Sequence, residues 1–248
     1  MSQTTAATPL VAQISDRLIT AIATGEFLPG SRLPAERDLA VLLKVGRTSV
    51  RAALAVLHDN GLIETARGRG GGSFVREQWT AASHAAVLRT LCSRWSEIED
   101  RLEAMRRVHG AVARAAAERH DDHDAAVLAE RLAGYRDAPS GRGKQNADAL
   151  LHQAIADAAK NTTLKEMLRE LESDISIGAP THVWGEPETM LVWEERATAE
   201  HEVLVAAIVA GRSDDADAVA REHARIDLEL LRAAKARAER GAEPASAR

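Results

Sequence analysis

The chain has 248 residues, of which 45% are hydrophobic and 28% are charged, and its net charge is −5. It is too apolar for a disordered chain, and its few glycines and prolines and single cysteine exclude collagen-like and disulfide-rich scaffolds. No segment reaches the ~18 consecutive apolar residues of a membrane helix, and the first residues lack a secretory signal pattern. We therefore expect a cytoplasmic protein with no membrane partner.

Charge is unevenly distributed along the chain. Residues 1–80 carry nine Lys or Arg and seven Asp or Glu, which leaves a net charge of −7 for the rest of the chain. Residues 1–80 contain clustered arginines, whereas the rest of the chain is acidic. This pattern predicts that only residues 1–80 bind a polyanion.

Residues 9–76 show the pattern of a winged helix-turn-helix. Apolar residues four apart from Leu10 to Ile22 predict a first amphipathic helix. Two short helices follow around a turn at Val45–Gly46, and Gly61 suits the end of the second of them. A hairpin with a glycine-rich tip, the wing, completes the pattern. The predicted helices span 9–24, 35–43 and 47–60, and the predicted strands span 62–65 and 73–75.

The third helix and the wing carry side chains that suit a DNA duplex. Arg47 and Arg51 lie one turn apart, and arginine reads guanine through paired hydrogen bonds. The helix N-terminus offers N–H groups to phosphate, and glycines in the wing allow close approach to the duplex. The alternatives are a solvated helix face and a plain flexible loop. The predicted contacts are Arg47, Thr48, Ser49, Arg51, Arg67, Gly68, Arg69 and Gly70.

A longer motif includes these residues. It runs Gly25-x-x-x-Pro29-Gly30-x-x-Leu33-Pro34-x-Glu36-Arg37-x-Leu39-Ala40, then Val45-x-Arg47-x-x-Val50-Arg51-x-Ala53-Leu54, then Leu57-x-x-x-Gly61-Leu62-Ile63. This motif resembles the GntR family of bacterial transcription regulators. The resemblance implies that Arg37, Arg47 and Arg51, with the wing glycine at Gly68 or Gly70, contact an operator.

The rest of the chain is predicted to be helical throughout. Its helices span 83–93, 95–119, 122–137, 144–160, 162–178, 187–211 and 213–238. The predicted fold is mainly α, with a winged helix-turn-helix followed by an all-α antiparallel helical bundle. The predicted domains are 1–78 for DNA binding, 79–83 as a linker, 84–238 for ligand binding and dimerisation, and 239–248 as a flexible tail.

Four residues of the helical part could share a cation. Asp148 and His152 lie one turn apart on one helix face, and His201 and His223 lie in step with apolar residues of two later helices. A carboxylate and imidazoles from three helices are a common metal site in bundles. Zn²⁺ suits this set, while Ni²⁺ and other ions that bind imidazole remain alternatives. The competing interpretation is a set of hydrogen-bonded core histidines. The other histidines lack matching partners and are expected to be surface or structural: His58, His84, His109, His120, His123 and His182.

The stretches Asp148-x-x-Leu151-His152-x-x-Ile155, Glu200-His201-x-x-Leu204 and Ala220-x-x-His223 resemble the all-helical ligand domain (FCD) of the FadR subfamily of GntR regulators. The resemblance implies that Asp148, His152, His201 and His223 hold a metal ion and that a small carboxylate effector binds beside it, as in lactate-responsive repressors of that subfamily. The Glu-x-Arg motif of the subfamily aligns at Glu103 but places Met105 at the arginine. Arg106, or else Arg101, is therefore the expected effector contact.

Together these features predict a DNA-binding regulator and not an enzyme. We expect a homodimeric repressor that binds a palindromic double-stranded operator and is released by a small hydroxycarboxylate such as L-lactate. Two alternatives remain, a regulator for which the metal ion itself is the signal and a metal-dependent hydrolase.

Overall fold

The computed structural model describes residues 9–24, 26–175 and 187–242. Within these residues the fold is mainly helical with one two-stranded sheet, as the sequence predicts. The elements in chain order are α1 (Pro9–Thr24), α2 (Glu36–Leu42), α3 (Arg47–Asp59), β1 (Ile63–Ala66), β2 (Gly72–Val75), α4 (Ala81–Ser93), α5 (Trp95–Arg119), α6 (Asp122–Asp137), α7 (Arg142–Ala158), α8 (Thr162–Ile175), α9 (Pro187–Val209), α10 (Ser213–His223) and α11 (Arg225–Ala242).

The chain divides into two compact units. The first comprises Met1–Arg94 with Ala233–Arg248, and the second comprises Trp95–Arg232. The division therefore falls after α4, later in the chain than the expected boundary at 78–83. Most of the expected linker is the first turn of α4, where the side chains of Thr80 and Ser83 form a capping box. No described helix is long and apolar enough to cross a membrane.

The first unit is a winged helix-turn-helix. α1 packs against α3 and α4, and α2 packs against α3, around buried residues such as Leu18, Leu39 and Leu57. β1 pairs antiparallel with β2, from Ile63 opposite Val75 to Ala66 opposite Gly72. The segment before α2 extends this sheet, because Leu33 N–H donates to the carbonyl of Ser73 and Val75 N–H donates to that of Ser31, each at 2.9 Å.

The turn between α2 and α3 differs in detail from the predicted one. The sequence places it at Val45–Gly46, but the residue in the left-handed region is Lys44, with a φ of 54°. Gly61 ends α3 with a φ of +69°, as its predicted role requires.

The second unit is a helical bundle arranged around α5. This long helix packs against α7, α8, α9 and α10, while α6 packs against α7 and α9. α5 approaches α10 closely at Gly110, where a β-carbon would lie 2.4 Å from the Asp217 carboxylate and 2.7 Å from Nε of Arg221. A bundle core of this kind lets side chains from several helices converge on one point.

Two expectations for the C-terminal part are wrong. The single helix predicted over 213–238 is two helices that meet at Ala224. Alanine is a strong helix former, so the sequence carries no local stop signal there; His223 and Ile226, on either side of the break, are both buried. The tail predicted from Glu239 is helical to Ala242, supported by an ion pair from Lys235 to Glu239 at 2.9 Å. Residues 243–248 and His182 lie outside the described residues.

Candidate metal centre and nucleic-acid interface

Four side chains from three helices meet inside the second unit. α7 contributes Asp148 and His152, α9 contributes His201, and α10 contributes His223. All four are buried, and one potential ligand atom from each lies within 4.8 Å of the others. The structure therefore brings together the four residues that the sequence predicts as ligands.

The spacing of these atoms fits a cation at their centre. Nε2 of His152 lies 3.1 Å from Nε2 of His201 and 3.3 Å from Nε2 of His223. Oδ1 of Asp148 lies 3.4 Å from Nε2 of His201 and 3.9 Å from Nε2 of His152. Since Zn–N bonds measure ~2.0–2.1 Å, the corners of a tetrahedral zinc site are about 3.3 Å apart. Three imidazole nitrogens and a carboxylate oxygen at this spacing can bind a divalent cation.

Glu200 orients one of these imidazoles. Its Oε2 accepts a hydrogen bond from Nδ1 of His223 at 2.8 Å, and its Oε1 accepts one from Arg196 at 2.8 Å. Because an ionised carboxylate can only accept, the Nδ1 of His223 carries a proton, and Nε2 is the ring nitrogen that faces His152. Carboxylates in this position support metal-bound histidines. This role of Glu200 was not predicted from the sequence, although Glu200 directly precedes His201 in the chain.

Aromatic packing restrains the other rings. The buried Tyr135 ring lies edge-on to His201 with centroids 4.6 Å apart, and the His152 and His223 rings stack at 5.3 Å. Burial, with the nearby charge of Asp148, raises the pKa of the Tyr135 phenol above its ordinary value of 10.0. The phenol is therefore neutral and acts as a wall of the centre.

A second buried pair flanks the centre. His109 of α5 lies edge-on to His152 with ring centroids 5.5 Å apart, and its Nε2 lies 3.6 Å from Oε1 of Glu172 on α8. Both side chains are buried. His109 is therefore a structural residue, one of the two roles expected for it, and its partner Glu172 was not predicted. The available signal was periodicity, because His109 follows the buried Met105 by four residues on the same helix face.

A cavity of about 500 Å³ opens between α7 and α8 beside the centre. His152 contributes to its wall, so the cavity reaches one of the four predicted ligands. Polar and cationic side chains line it together with apolar ones, and the cavity size falls in the ~300–1,000 Å³ range of small-molecule pockets. The charged residues of the lining are Lys165, Arg169 and Glu172.

The predicted effector arginines lie on α5. Arg106 is held by Glu103 on its own helix, through bonds of 2.7 Å from Nε and 3.0 Å from Nη2. These bonds, with those from Arg107, lower the pKa of Glu103 to about 2. Arg101 is half-buried on the same helix.

The predicted DNA-contacting side chains of the first unit are mostly exposed. Arg47 and Thr48 are exposed at the start of α3 and Ser49 is half-buried. Two arginines are paired with carboxylates of α2. Arg37 donates one bond to Asp38 at 3.2 Å, whereas Arg51 donates to both carboxylate oxygens of Glu36.

The wing tip is exposed and built on glycines. Gly68 and Gly70 have φ values of +97° and +91°, which side chains rarely adopt, and Arg67 and Arg69 alternate with them on the exposed loop. Gly71, which is not among the predicted contacts, is also needed in the loop, because a β-carbon there would lie 2.5 Å from the carbonyl oxygen of Ala66.

Residues 10–74 match the family described as bacterial regulatory proteins, gntR family, and residues 97–226 match the FCD domain. The chain belongs to the GntR family. The matches follow the order of the structure, a GntR helix-turn-helix first and an FCD helical domain second. FCD is a known metal-binding domain, and this FCD domain contains a possible site of three histidines and one aspartate.

Relatives of this GntR regulator are transcriptional regulators. It is 31% identical over 87% of its length to the regulator RmpR of Mycobacterium gastri, of which the match covers 77%. It is 29% identical over 82% of its length to an Escherichia coli K12 protein whose name assigns it to regulation of the L-lactate dehydrogenase operon, with 79% of that protein covered. The chain is therefore a transcriptional regulator and not an enzyme, and the hydrolase alternative is excluded.

The solved E. coli McbR/YncC structure aligns with a TM-score of 0.49 at 19% identity, covering 91% of this chain and 98% of that one.

Proposed function

We propose that this GntR-family regulator binds a divalent cation, best fitted by Zn²⁺, at Asp148, His152, His201 and His223. The observation that carries the proposal is the burial of three imidazoles and a carboxylate around one point at zinc-like spacing. Ni²⁺ is an alternative, because nitrogen-rich sites of this kind accept several borderline ions.

The same proposal places a small carboxylate effector in the cavity between α7 and α8. Lys165 and Arg169 supply positive charge there, and a carboxylate pairs well with a guanidinium. A bound cation would supply a Lewis-acid anchor for the oxygens of a hydroxycarboxylate at the His152 wall. The E. coli relative named for the L-lactate dehydrogenase operon makes L-lactate the first effector to test. Arg106 and Arg101 stay predicted effector contacts, and Arg106 would have to exchange Glu103 for the ligand.

On the DNA side, we propose a homodimer that reads a palindromic operator with two winged units. α3 supplies Arg47, Thr48, Ser49 and Arg51, with Arg37 from α2 and the wing residues Arg67, Gly68, Arg69 and Gly70 beside the duplex. Dimers of helix-turn-helix proteins bind two half-sites with spacing set by the dimer. The effector releases the repressor by binding better to the conformation that does not fit the operator.

The test uses the full chain and an operator selected from random duplexes by the wild-type protein. We expect the metal-loaded protein to bind the operator and L-lactate to weaken this binding, with acetate and D-lactate as comparison acids. His152→Ala should lose both the metal and the response to lactate yet still bind the operator. Arg47→Ala should lose operator preference yet still bind the metal. Metal binding that persists in His152→Ala, or unchanged operator preference in Arg47→Ala, would contradict the respective assignment.

A second candidate function is metal sensing. Four protein donors can complete a tetrahedral shell without any effector, which favours the ion itself as the signal. Titrating the metal-free protein with Zn²⁺ separates the two functions. A metal sensor changes its operator affinity with Zn²⁺ alone, whereas an acid-responsive repressor changes it when L-lactate is added.

A further inference from the structure

Glu36 of α2 holds Arg51 of α3 more firmly than Asp38 holds Arg37, another arginine predicted to contact DNA. Nε of Arg51 donates to Oε1 of Glu36 at 3.1 Å, and Nη2 donates to Oε2 at 2.8 Å. Two parallel bonds between planar groups fix the orientation of the guanidinium. By contrast, Arg37 makes a single 3.2 Å bond to Asp38, its neighbour in sequence, and both are largely exposed.

The bonds to Glu36 engage only one edge of the guanidinium. Arginine has five N–H donors, and Glu36 takes the side edge formed by Nε and Nη2. The end formed by Nη1 and Nη2 keeps its two parallel donors, and the Arg51 side chain is 68% exposed. Such a pair of donors matches O6 and N7 of guanine in the major groove.

We propose that Glu36 is a positioning residue for base recognition, holding the side edge of Arg51 so that its Nη1–Nη2 end is presented to a guanine. This inference rests on the proposed function, in which Arg51 reads operator bases. A carboxylate beside a duplex also repels phosphate, so Glu36 lowers sequence-independent affinity while it raises base preference. Loss of the Glu36 carboxylate should therefore raise the affinity for any duplex and lower the preference for guanine. If Glu36 only competed with DNA for Arg51, its loss would raise the affinity and leave the preference unchanged.

The experiment compares Arg51→Ala, Glu36→Asp and Glu36→Ala of the full chain with wild type at one salt concentration. Dissociation constants are measured for the selected operator, for each single replacement of a G·C pair, and for scrambled duplex. We expect Arg51→Ala to lose preference at one G·C pair by about tenfold or more. Glu36→Asp should lose preference at the same pair with unchanged affinity for scrambled DNA, because it keeps the charge but shortens the reach. Glu36→Ala should lose that preference and bind scrambled DNA more tightly.

Asp59→Asn is the matched control. Asp59 lies at the other end of α3, its side chain is 83% exposed, and it pairs with His58 rather than with an arginine. Its removal should keep the preference at every pair.

Wild-type preference in Glu36→Asp at the pair read by Arg51 would overturn the positioning role alone. Tighter operator binding by Glu36→Ala with preference retained would also overturn it, because Glu36 would then compete with DNA. Full preference in Arg51→Ala would overturn the recognition assignment and this inference together. Thermal unfolding and far-ultraviolet circular dichroism establish that each variant is folded.

Discussion

His223 joins two parts of the candidate metal centre, because its Nδ1 donates to Glu200 at 2.8 Å while its Nε2 lies 3.3 Å from Nε2 of His152. Arg196 in turn bonds both Glu200 and Glu229, so the second oxygen of the Glu200 carboxylate is held as well. These contacts from arginine to carboxylate to imidazole keep a proton on Nδ1 of His223 and orient Nε2 toward the other predicted ligands.

This relationship predicts the effect of Glu200→Gln. A neutral amide no longer requires a proton on Nδ1 and polarises the ring less, so we expect metal affinity to fall about 10–100-fold. Competition with a fluorescent chelator measures the change. Glu202→Gln is the control, because Glu202 is exposed and pairs with Arg136 instead of a histidine. Equal metal affinity in the two variants would mean that Glu200 does not support His223.

Two glycines in helices of the second unit should respond oppositely to alanine. A β-carbon at Gly110 would lie 2.4 Å from the Asp217 carboxylate and 2.8 Å from Cγ of Arg221, so Gly110→Ala must displace these two side chains and disturb the ion pair between them. We expect it to destabilise the fold by roughly 1–3 kcal/mol. At Gly134 on α6 nothing lies within 4 Å, and Gly134→Ala should stabilise the fold by about 0.5–1 kcal/mol. Urea unfolding of both variants measures the two changes. A stability equal to or above that of wild type in Gly110→Ala would contradict the close contact at Gly110.

Asp16 in the first unit should give stability a distinct pH dependence. Burial raises the pKa of its carboxyl above the ordinary 3.8, although Thr90 donates to it at 3.2 Å. The charged form is thus less favourable in the folded than in the unfolded chain, and stability falls as the pH rises through the folded pKa. Asp16→Asn should be more stable than wild type at neutral pH, with the difference vanishing below about pH 3.8. Chemical unfolding across this range measures it, with Asp59→Asn as an exposed control. A constant difference at all pH values would disprove the linkage.

The first unit and the four buried residues could be predicted from the sequence because each leaves a local pattern. Helix periodicity predicts α1 with both of its end residues correct. The i, i+4 spacing of Asp148 and His152 already places both on one helix face. Glu200 and Glu172 were beyond reach, since their partners come from other helices and no spacing along one helix indicates them. The break at Ala224 has no local signal either, because alanine favours continuation of a helix.

The wing offers a test through salt dependence. If Arg69 contacts a phosphate, Arg69→Ala should weaken binding to operator and scrambled duplex alike and reduce the slope of log affinity against log salt by about 1. Gly71→Ala should have a larger effect on both duplexes, because its β-carbon would lie 2.5 Å from the carbonyl of Ala66 and must deform the loop that carries both wing arginines. Arg131→Ala removes an equal charge from α6, where Arg131 pairs with Glu130, and should leave the slope unchanged. If the salt slopes of Arg69→Ala and Arg131→Ala were equal, Arg69 would not contact a phosphate of the duplex.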